Sequence, residues 1–256
     1  MSFESALADT TKNSELKKPS DFRPRAQLSE WMDEPCSYSD LRECLHDLAQ
    51  VNRITLAYRP TLRWLQQVVR QSRAMRPLHI VDVGCGGGDM LRRIEHWAVR
   101  KRISVRLTGI DLNPLAVRVA REFTPIDSRI RWIAGKMDSI DTASDPVDLV
   151  ICSLFTHHLA DDEIVRVLAW MESVARRGWF INDLYRSRVS YVGFKALAMA
   201  ARWHHLVRRD GPVSILRAFL PSDWRRYAEA SGLPAGSVHI DIRWPARLCV
   251  ARIKEP

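Results

Sequence analysis

The sequence has 256 residues, a hydrophobic fraction of 46% and a formal net charge of +9. This length suits one large domain, and the lack of any apolar run of about eighteen residues argues against a membrane-spanning helix. The five cysteines show no Cys-x-x-Cys spacing, so we expect neither a disulfide framework nor a metal site, and we expect a reducing, cytoplasmic setting.

The first part of the chain predicts a flexible tail over residues 1–35, because it is polar and has no apolar core of the signal-peptide type. A single domain is expected over 36–256. Its arginines are spread along the chain rather than gathered in one block, which indicates a solvated basic surface. Nucleic acid is therefore not the expected partner.

Residues 36–76 predict two helices, Tyr38–Leu48 and Pro60–Arg73. Residues 77–184 then alternate between apolar strands and amphipathic helices, which is typical of a doubly wound α/β domain with a parallel sheet. The predicted strands are Leu78–Val83, Ser104–Ile110, Ile130–Ile133, Val147–Cys152 and Gly178–Leu184, and the helices between them are Met90–Arg100, Pro114–Phe123 and Asp161–Arg177.

The alternation stops after residue 184, and residues 185–235 predict helices that cap the domain. We expect one long helix over Val189–Arg209, a turn over Arg209–Pro212, and a helix over Ser222–Ala230 that Ser222 caps. Residues 236–256 predict a hairpin of two strands, Ser237–Arg243 and Arg247–Ile253.

Three glycines, Gly84, Gly86 and Gly88, follow the first strand of the core and precede a helix. This strand–turn–helix pattern is typical of a nucleotide-binding loop, since glycine lets a ligand approach the backbone and the helix start offers N–H groups. The second strand ends at Asp111, 23 residues after Gly88. An acid at that position predicts hydrogen bonds to the two hydroxyls of a ribose.

The order of these glycines departs from the dinucleotide pattern, and Asp82 lies within the strand before them. The sequence here resembles the class I S-adenosylmethionine (SAM)-dependent methyltransferases, in particular the small-molecule ubiquinone/menaquinone type and methyltransferases of bacterial specialised metabolism. The resemblance is carried by three stretches: Val81–Gly88, Gly109–Asp111 and Asp148–Leu159.

The resemblance implies a Rossmann-like, seven-stranded sheet of order 3-2-1-4-5-7-6 with the last strand antiparallel, N-terminal helices and a helical cap insertion. It also implies SAM as cofactor, with Asp82 near the ammonium group, Asp111 at the ribose and Leu112 on the adenine. The remaining residues that it places at the cofactor are Gly84, Cys85, Gly86, Gly88, Cys152 and Ser153. One departure concerns the third strand, where Lys136 stands at the family's acid position, so we assign adenine contacts to Met137 and Asp138.

Two histidines, His157 and His158, follow the fourth strand near the expected position of the methyl group. Histidine titrates near neutral pH and can act as a base, although both residues also suit a structural role at a helix start. Asp183 closes the fifth strand and is a candidate for orienting the substrate, or for a helix cap or an ion pair. These three residues are the catalytic candidates.

Aromatic residues at helical spacing in the cap, Tyr191 and Phe194, suit either a substrate-covering lid or ordinary core. We also expect Tyr185, after the fifth strand, and Tyr58, before the first, to line the substrate. The basic end of the long cap helix is compatible with contact at a membrane surface.

The leading hypothesis is a SAM-dependent methyltransferase that acts on an O or C atom of a small aromatic, quinone-like or polyketide-like molecule. An RNA or DNA methyltransferase is the alternative that the positive charge favours. The residues Cys152–Phe155 argue against it, because they lack the Asn/Asp-Pro-Pro-aromatic stretch that holds a flipped base. A non-catalytic SAM-binding scaffold also stays open because of Lys136, whereas the glycine order disfavours a nicotinamide oxidoreductase.

Overall fold

The computed structural model describes residues 21–30, 34–71, 76–201, 203 and 205–254. The helices are α1 (Tyr38–Ile54), α2 (Tyr58–Arg70), α3 (Asp89–Lys101), α4 (Pro114–Glu122), α5 (Asp161–Val174), α6 (Arg188–Ala200), α7 (His205–Arg217) and α8 (Pro221–Ala230). The strands are β1 (Leu78–Val83), β2 (Val105–Asp111), β3 (Arg131–Ala134), β4 (Leu149–Ser153), β5 (Gly178–Leu184), β6 (His239–Arg243) and β7 (Arg247–Ile253).

The seven strands form one sheet in the order β3-β2-β1-β4-β5-β7-β6. Strands β1 to β5 pair in parallel, whereas β7 pairs antiparallel with both β5 and β6. The predicted strand order and the antiparallel last strand are confirmed. In such a sheet the carboxyl ends of the parallel strands meet at one edge, which is where ligands bind in open α/β domains.

Helices cover both faces of the sheet, and the central strands supply the core of each face. All six residues of β1 are buried, as are four of the five in β4. Side chains alternate between faces along each strand. Val81 and Val150 therefore belong to one apolar cluster, while Ile80 and Leu149 belong to the other.

Helix α5 ends at Val174, whereas the sequence had predicted an end at Arg177. The reason is that the chain leaves the helix to join the sheet: the backbone N–H groups of Arg176 and Arg177 donate to the carbonyls of Val147 and Asp148 at 3.1 and 2.9 Å. The two arginines therefore lie beyond the helix end.

The cap differs more from the prediction of one helix over Val189–Arg209. Two helices, α6 and α7, occupy this region, and α7 runs through Gly211 and Pro212, which the sequence had predicted as a turn. A Cβ atom at Gly211 would lie 1.9 Å from a ring carbon of Phe194, so the glycine lets the two helices pack closely. Tertiary packing here overrides the local turn signal.

The N-cap residue of α8 was also predicted wrongly. The helix begins at Pro221, and the N-cap position is Leu220, whose backbone N–H donates to the carboxylate of Asp223 at 2.8 Å. Ser222 lies inside the first turn. The final hairpin is confirmed, with β6 beginning at His239 instead of Ser237.

Candidate active site

The glycine-rich turn after β1 has a backbone that side chains would not tolerate. Gly84, Gly86 and Gly88 have φ values of 67°, 50° and 75°, in the left-handed region that favours glycine. A Cβ atom at Gly84 would lie 2.4 Å from the ring of Phe155, and one at Gly88 would lie 2.3 Å from the ring of Trp132. The glycines are thus required both for the turn and for close packing around it.

Asp111 lies at the carboxyl end of β2 and joins this strand to the glycine-rich turn. Its carboxylate accepts hydrogen bonds from the backbone N–H groups of Gly86 at 2.8 Å and Asn113 at 2.9 Å. Burial raises the pKa of this carboxyl, and the two N–H groups and the nearby His158 oppose the rise. A carboxylate has about four acceptor positions, so Asp111 can still accept bonds from two ligand hydroxyls.

Two buried polar atoms near the same edge have no hydrogen-bond partner among the residues that the structure describes. They are Oδ1 of Asp82 in β1 and Oγ of Ser153 at the end of the neighbouring β4. Asp82 is 2% exposed, and burial raises its pKa well above the ordinary value, with Asp89 and Asp111 adding to the rise. Because buried polar groups are nearly always paired, this position calls for a ligand that donates hydrogen bonds or carries positive charge.

The surface beside Asp111 combines an apolar side chain with a short turn. Leu112 is 69% exposed, although it is apolar. After β3, a single 3-10 turn spans Met137–Ser139, with Met137 partly buried and Asp138 exposed. The backbone N–H of Gly135 donates to the carbonyl of Asp111 at 2.9 Å, which holds this turn next to the carboxylate.

The chain turns sharply after β4 and brings His157 against Asp183. Leu154 has φ 55°, and a 3-10 turn spans Thr156–His158. Nδ1 of His157 lies 2.7 Å from the carboxylate of Asp183, which also accepts from the hydroxyl of Thr156 at 2.5 Å. Burial alone would raise the pKa of Asp183, but the charge of His157 and these hydrogen bonds hold it well below the ordinary value. Asp183 therefore fixes the orientation of His157.

The two histidines differ in their surroundings. Their rings lie 4.3 Å apart, yet the side chain of His157 is 4% exposed and that of His158 is 24% exposed. His158 is also the histidine whose charge reaches Asp111. Of the pair, His158 is thus the more exposed.

An unexpected member of the site is Glu30, which the sequence had placed in a flexible tail over residues 1–35. Glu30 is 3% exposed, and its two carboxylate oxygens lie 4.0 Å from Nε2 of His157 and 3.9 Å from Nε2 of His158. The prediction of a flexible tail is wrong for residues 21–30, which pack against the domain, while residues 1–20 and 31–33 lie outside the described ranges. No local pattern marks Glu30, because its role depends on the packing of a distant segment.

Glu30, His157 and His158 have side chains of the type that bind metal ions, and their ligand atoms lie within 4.8 Å of one another. The sequence had predicted no metal site. A fixed positive charge already lies beside this carboxylate, because Nη1 of Arg217 is 3.6 Å from Glu30, and the hydroxyl of Ser214 donates to it at 2.9 Å. We therefore interpret the cluster as an ion pair with two neighbouring imidazoles.

The fold agrees with that of solved methyltransferases. The plantazolicin methyltransferase BpumL, solved with a pentazolic desmethyl-plantazolicin analogue and S-adenosylhomocysteine (SAH), matches with a TM-score of 0.59 at 12% identity, over 86% of this chain and 97% of that one. Human N-acetylserotonin methyltransferase, solved with SAM, also matches with a TM-score of 0.59, at 14% identity over 86% of this chain and 57% of that one. In sequence, residues 80–178 match the family model described as a methyltransferase domain. Residues 80–178 therefore form a methyltransferase domain, within a chain that has the fold of the SAM-dependent methyltransferases.

The similar curated proteins are also methyltransferases. The ubiquinone biosynthesis O-methyltransferase of Albidiferax ferrireducens is 28% identical over 173 residues, which are 65% of this chain and 61% of that protein. The protein of the same name from Methylobacterium sp. is 33% identical over 89 residues, which are 33% of this chain and 32% of that one. A ribosomal protein L11 methyltransferase from Allorhizobium ampelinum is 27% identical over 158 residues, 59% of this chain and 51% of that protein. The chain thus spans from about a third to about three fifths of the length of these relatives.

The residues at the strand ends fit SAM, the ligand with which human N-acetylserotonin methyltransferase was solved. The unpartnered Oδ1 of Asp82 suits the ammonium group, the free acceptor positions of Asp111 suit the ribose hydroxyls, and the exposed Leu112 suits the adenine ring. Cys152 and Cys85 are buried, so their side chains contribute packing at this edge. The individual contacts of these residues with SAM stay predictions.

The four aromatic residues predicted to line the substrate take part in packing between elements of the methyltransferase domain. The hydroxyl of Tyr58 donates to Asp89, the first residue of α3, at 2.8 Å. Tyr191 and Phe194 belong to a cluster between α6 and α7, and Tyr185 packs on the core beside β5. The structure does not bring Tyr58 together with the histidines, and the substrate roles of all four stay predictions.

The membrane contact predicted for the basic end of the cap helix, residues 203–209, falls partly outside the described residues, since 204 is not among them. None of the described helices combines the length and the apolar character needed to cross a membrane. The five cysteines, all within the described ranges, form no disulfide.

Proposed function

We propose that this chain transfers the methyl group of SAM to a hydroxyl oxygen of a small, largely apolar molecule, and that His158 is the base that accepts the hydroxyl proton. The observation that carries the proposal is the position of His158. It is the more exposed imidazole of the pair, and it lies on the turn that follows β4, at the edge of the sheet where the residues that we assign to SAM lie.

SAM supplies a methyl group on a sulfonium, which is a good leaving group. The protein's task is then to align the acceptor, to exclude water and to remove a proton. The buried Asp183–His157 pair fixes the turn that carries His158, since Asp183 also bonds the backbone N–H of His157 at 3.2 Å. Arg217 donates to the carbonyls of His157 and His158 at 3.0 and 2.8 Å, which holds the same turn from the other side.

An oxygen acceptor is favoured over carbon because a general base is available beside the cofactor edge, and phenols or enols benefit from one. The names of two similar proteins, ubiquinone biosynthesis O-methyltransferase and N-acetylserotonin methyltransferase, support a small acceptor. A nucleic acid acceptor has less support, since β4 ends at Ser153 and Leu154-Phe155 follow it, without the residues that hold a flipped base.

The test is to incubate the protein with SAM and a panel of phenols, hydroquinones and aliphatic enols, and to detect methylated product and SAH by mass spectrometry. We expect His158→Ala to lower turnover about 10²–10⁴-fold, the usual contribution of a general base, with SAM affinity unchanged. His96→Ala, which changes an exposed histidine of α3, is the matched control and should leave turnover unchanged. Full turnover in His158→Ala, or methylation on carbon alone, would contradict the assignment.

A further inference from the structure

Residues 21–30, which we call the strap, are fastened to the domain by two arginines. Arg186 is 1% exposed and donates to the carbonyls of Phe22 at 2.9 Å and Arg23 at 2.8 Å. From the strap itself, Arg25 donates to the carbonyls of Arg217 at 2.7 Å, His157 at 2.9 Å and Leu159 at 2.7 Å. The strap is therefore bonded directly to the turn that carries the two histidines.

Further contacts fix the path of the strap over the cap helices. The guanidinium of Arg25 also bonds Asp161 at 2.9 Å and lies 4.8 Å from the centre of the Phe219 ring. The backbone N–H of Ala26 donates to the carbonyl of Leu216 at 3.0 Å, and the ring of Phe22 packs edge-on against Tyr191. These bonds satisfy backbone groups and bury apolar area, so they define one position for the segment.

The strap ends at Glu30, whose carboxylate lies among the side chains of the candidate site. Ser214 donates to Oε2, Arg217 lies beside Oε1, and the two imidazole Nε2 atoms lie about 4 Å from the two oxygens. A buried carboxylate at this distance favours an N–H on the facing nitrogen and stabilises an imidazolium when one forms.

We propose that Glu30 is a positioning residue for His158, carried into the methyl-transfer site by the strap. Its carboxylate favours the Nε2–H tautomer of His158, which leaves Nδ1 as the nitrogen that accepts a proton from the acceptor hydroxyl. His157 is expected in the opposite tautomer, since its Nδ1 is bonded to Asp183. The catalytic part of this inference rests on the proposed function, whereas the tautomer does not.

The first test needs only the wild-type protein. Nitrogen-15 chemical shifts of the histidine rings report the tautomer, and His157→Gln and His158→Gln variants assign the signals. We expect the hydrogen on Nε2 in neutral His158 and on Nδ1 in His157. A hydrogen on Nδ1 of His158 would overturn the proposal, whether or not a methyl acceptor has been found.

The second test compares Glu30→Gln with Glu34→Gln, the same change at an exposed residue nearby. We expect Glu30→Gln to shift the tautomer balance of His158 and to lower kcat at least tenfold, while the calorimetric Kd for SAM stays within twofold of wild type. Glu34→Gln should change none of these. An unchanged tautomer balance or an unchanged kcat in Glu30→Gln would overturn the positioning role. Loss of SAM binding in the wild type would instead contradict the proposed function.

Discussion

Asp111 combines two tasks in one side chain. Its carboxylate holds the glycine-rich turn through Gly86 and keeps acceptor capacity for a ligand. The sequence predicted Asp111 because its spacing from the glycines follows from the geometry of consecutive strands. Glu30 was not predictable in this way, since the contact between residue 30 and residues 157 and 158 depends on packing across the whole chain.

At Asp111, we predict that replacement by alanine weakens SAM binding at least a hundredfold, because two hydrogen bonds to a charged acceptor and the support of the turn are lost together. Isothermal titration with SAM measures the effect, and circular dichroism checks that the fold is kept. Asp127→Ala, at an exposed position, should bind like the wild type. An Asp111→Ala protein with near-normal affinity would remove the ribose assignment.

At the scale of elements, the glycine-rich turn and the first helix act as one unit. Leu45 of α1 lies over this turn, 3.3 Å from where a Cβ atom of Gly87 would be. The core strands were predictable because apolar runs bounded by glycines and polar residues leave few alternatives. The break between α6 and α7 was not, because the approach of Gly211 to Phe194 decides it and no local pattern encodes that approach.

For the glycine-rich turn, we predict that Gly84→Ala lowers the free energy of unfolding by about 1–3 kcal/mol, the usual range for a strained backbone position. Its φ is positive, and the new methyl group would meet the Phe155 ring. Gly193→Ala is the matched control, since nothing lies within 4 Å of a Cβ there and a helical alanine should add about 0.5–1 kcal/mol. Chemical denaturation compares the two, and equal stability of both variants would show that Gly84 is not required.

At the scale of the whole molecule, the site is assembled from segments far apart in the chain. The ends of β1, β2 and β4 carry the residues that we assign to the cofactor, the turn after β4 carries the histidines, and the strap carries Glu30. The sheet order was predictable from the family resemblance together with the alternation of strands and helices. The packing of the strap against the turn that carries the histidines was not predictable, because the polar composition of the strap is that of a flexible tail.

The buried position of Glu30 makes the stability of the whole domain depend on pH. Burial raises the pKa of Glu30 to about 7 from the ordinary 4.5, while His158, Arg217 and Ser214 oppose the rise and Asp210 adds to it. The folded state then keeps a proton that the unfolded state releases, so this contribution is full below pH 4.5 and is lost as the pH rises to about 7. We expect the Tm of the wild type to decline more steeply over this range than that of Glu30→Gln. Parallel declines in a series of thermal scans would refute a raised pKa at Glu30.

The most direct measurement is an isothermal titration of the purified protein with SAM and SAH, with NADH as the control. The glycine-rich turn, the unpartnered Oδ1 of Asp82 and the carboxylate of Asp111 predict saturable one-to-one binding of both adenosyl ligands and no binding of NADH. Binding of NADH in preference to SAM, or no binding of SAM at all, would contradict the assignment of this chain as a SAM-dependent methyltransferase.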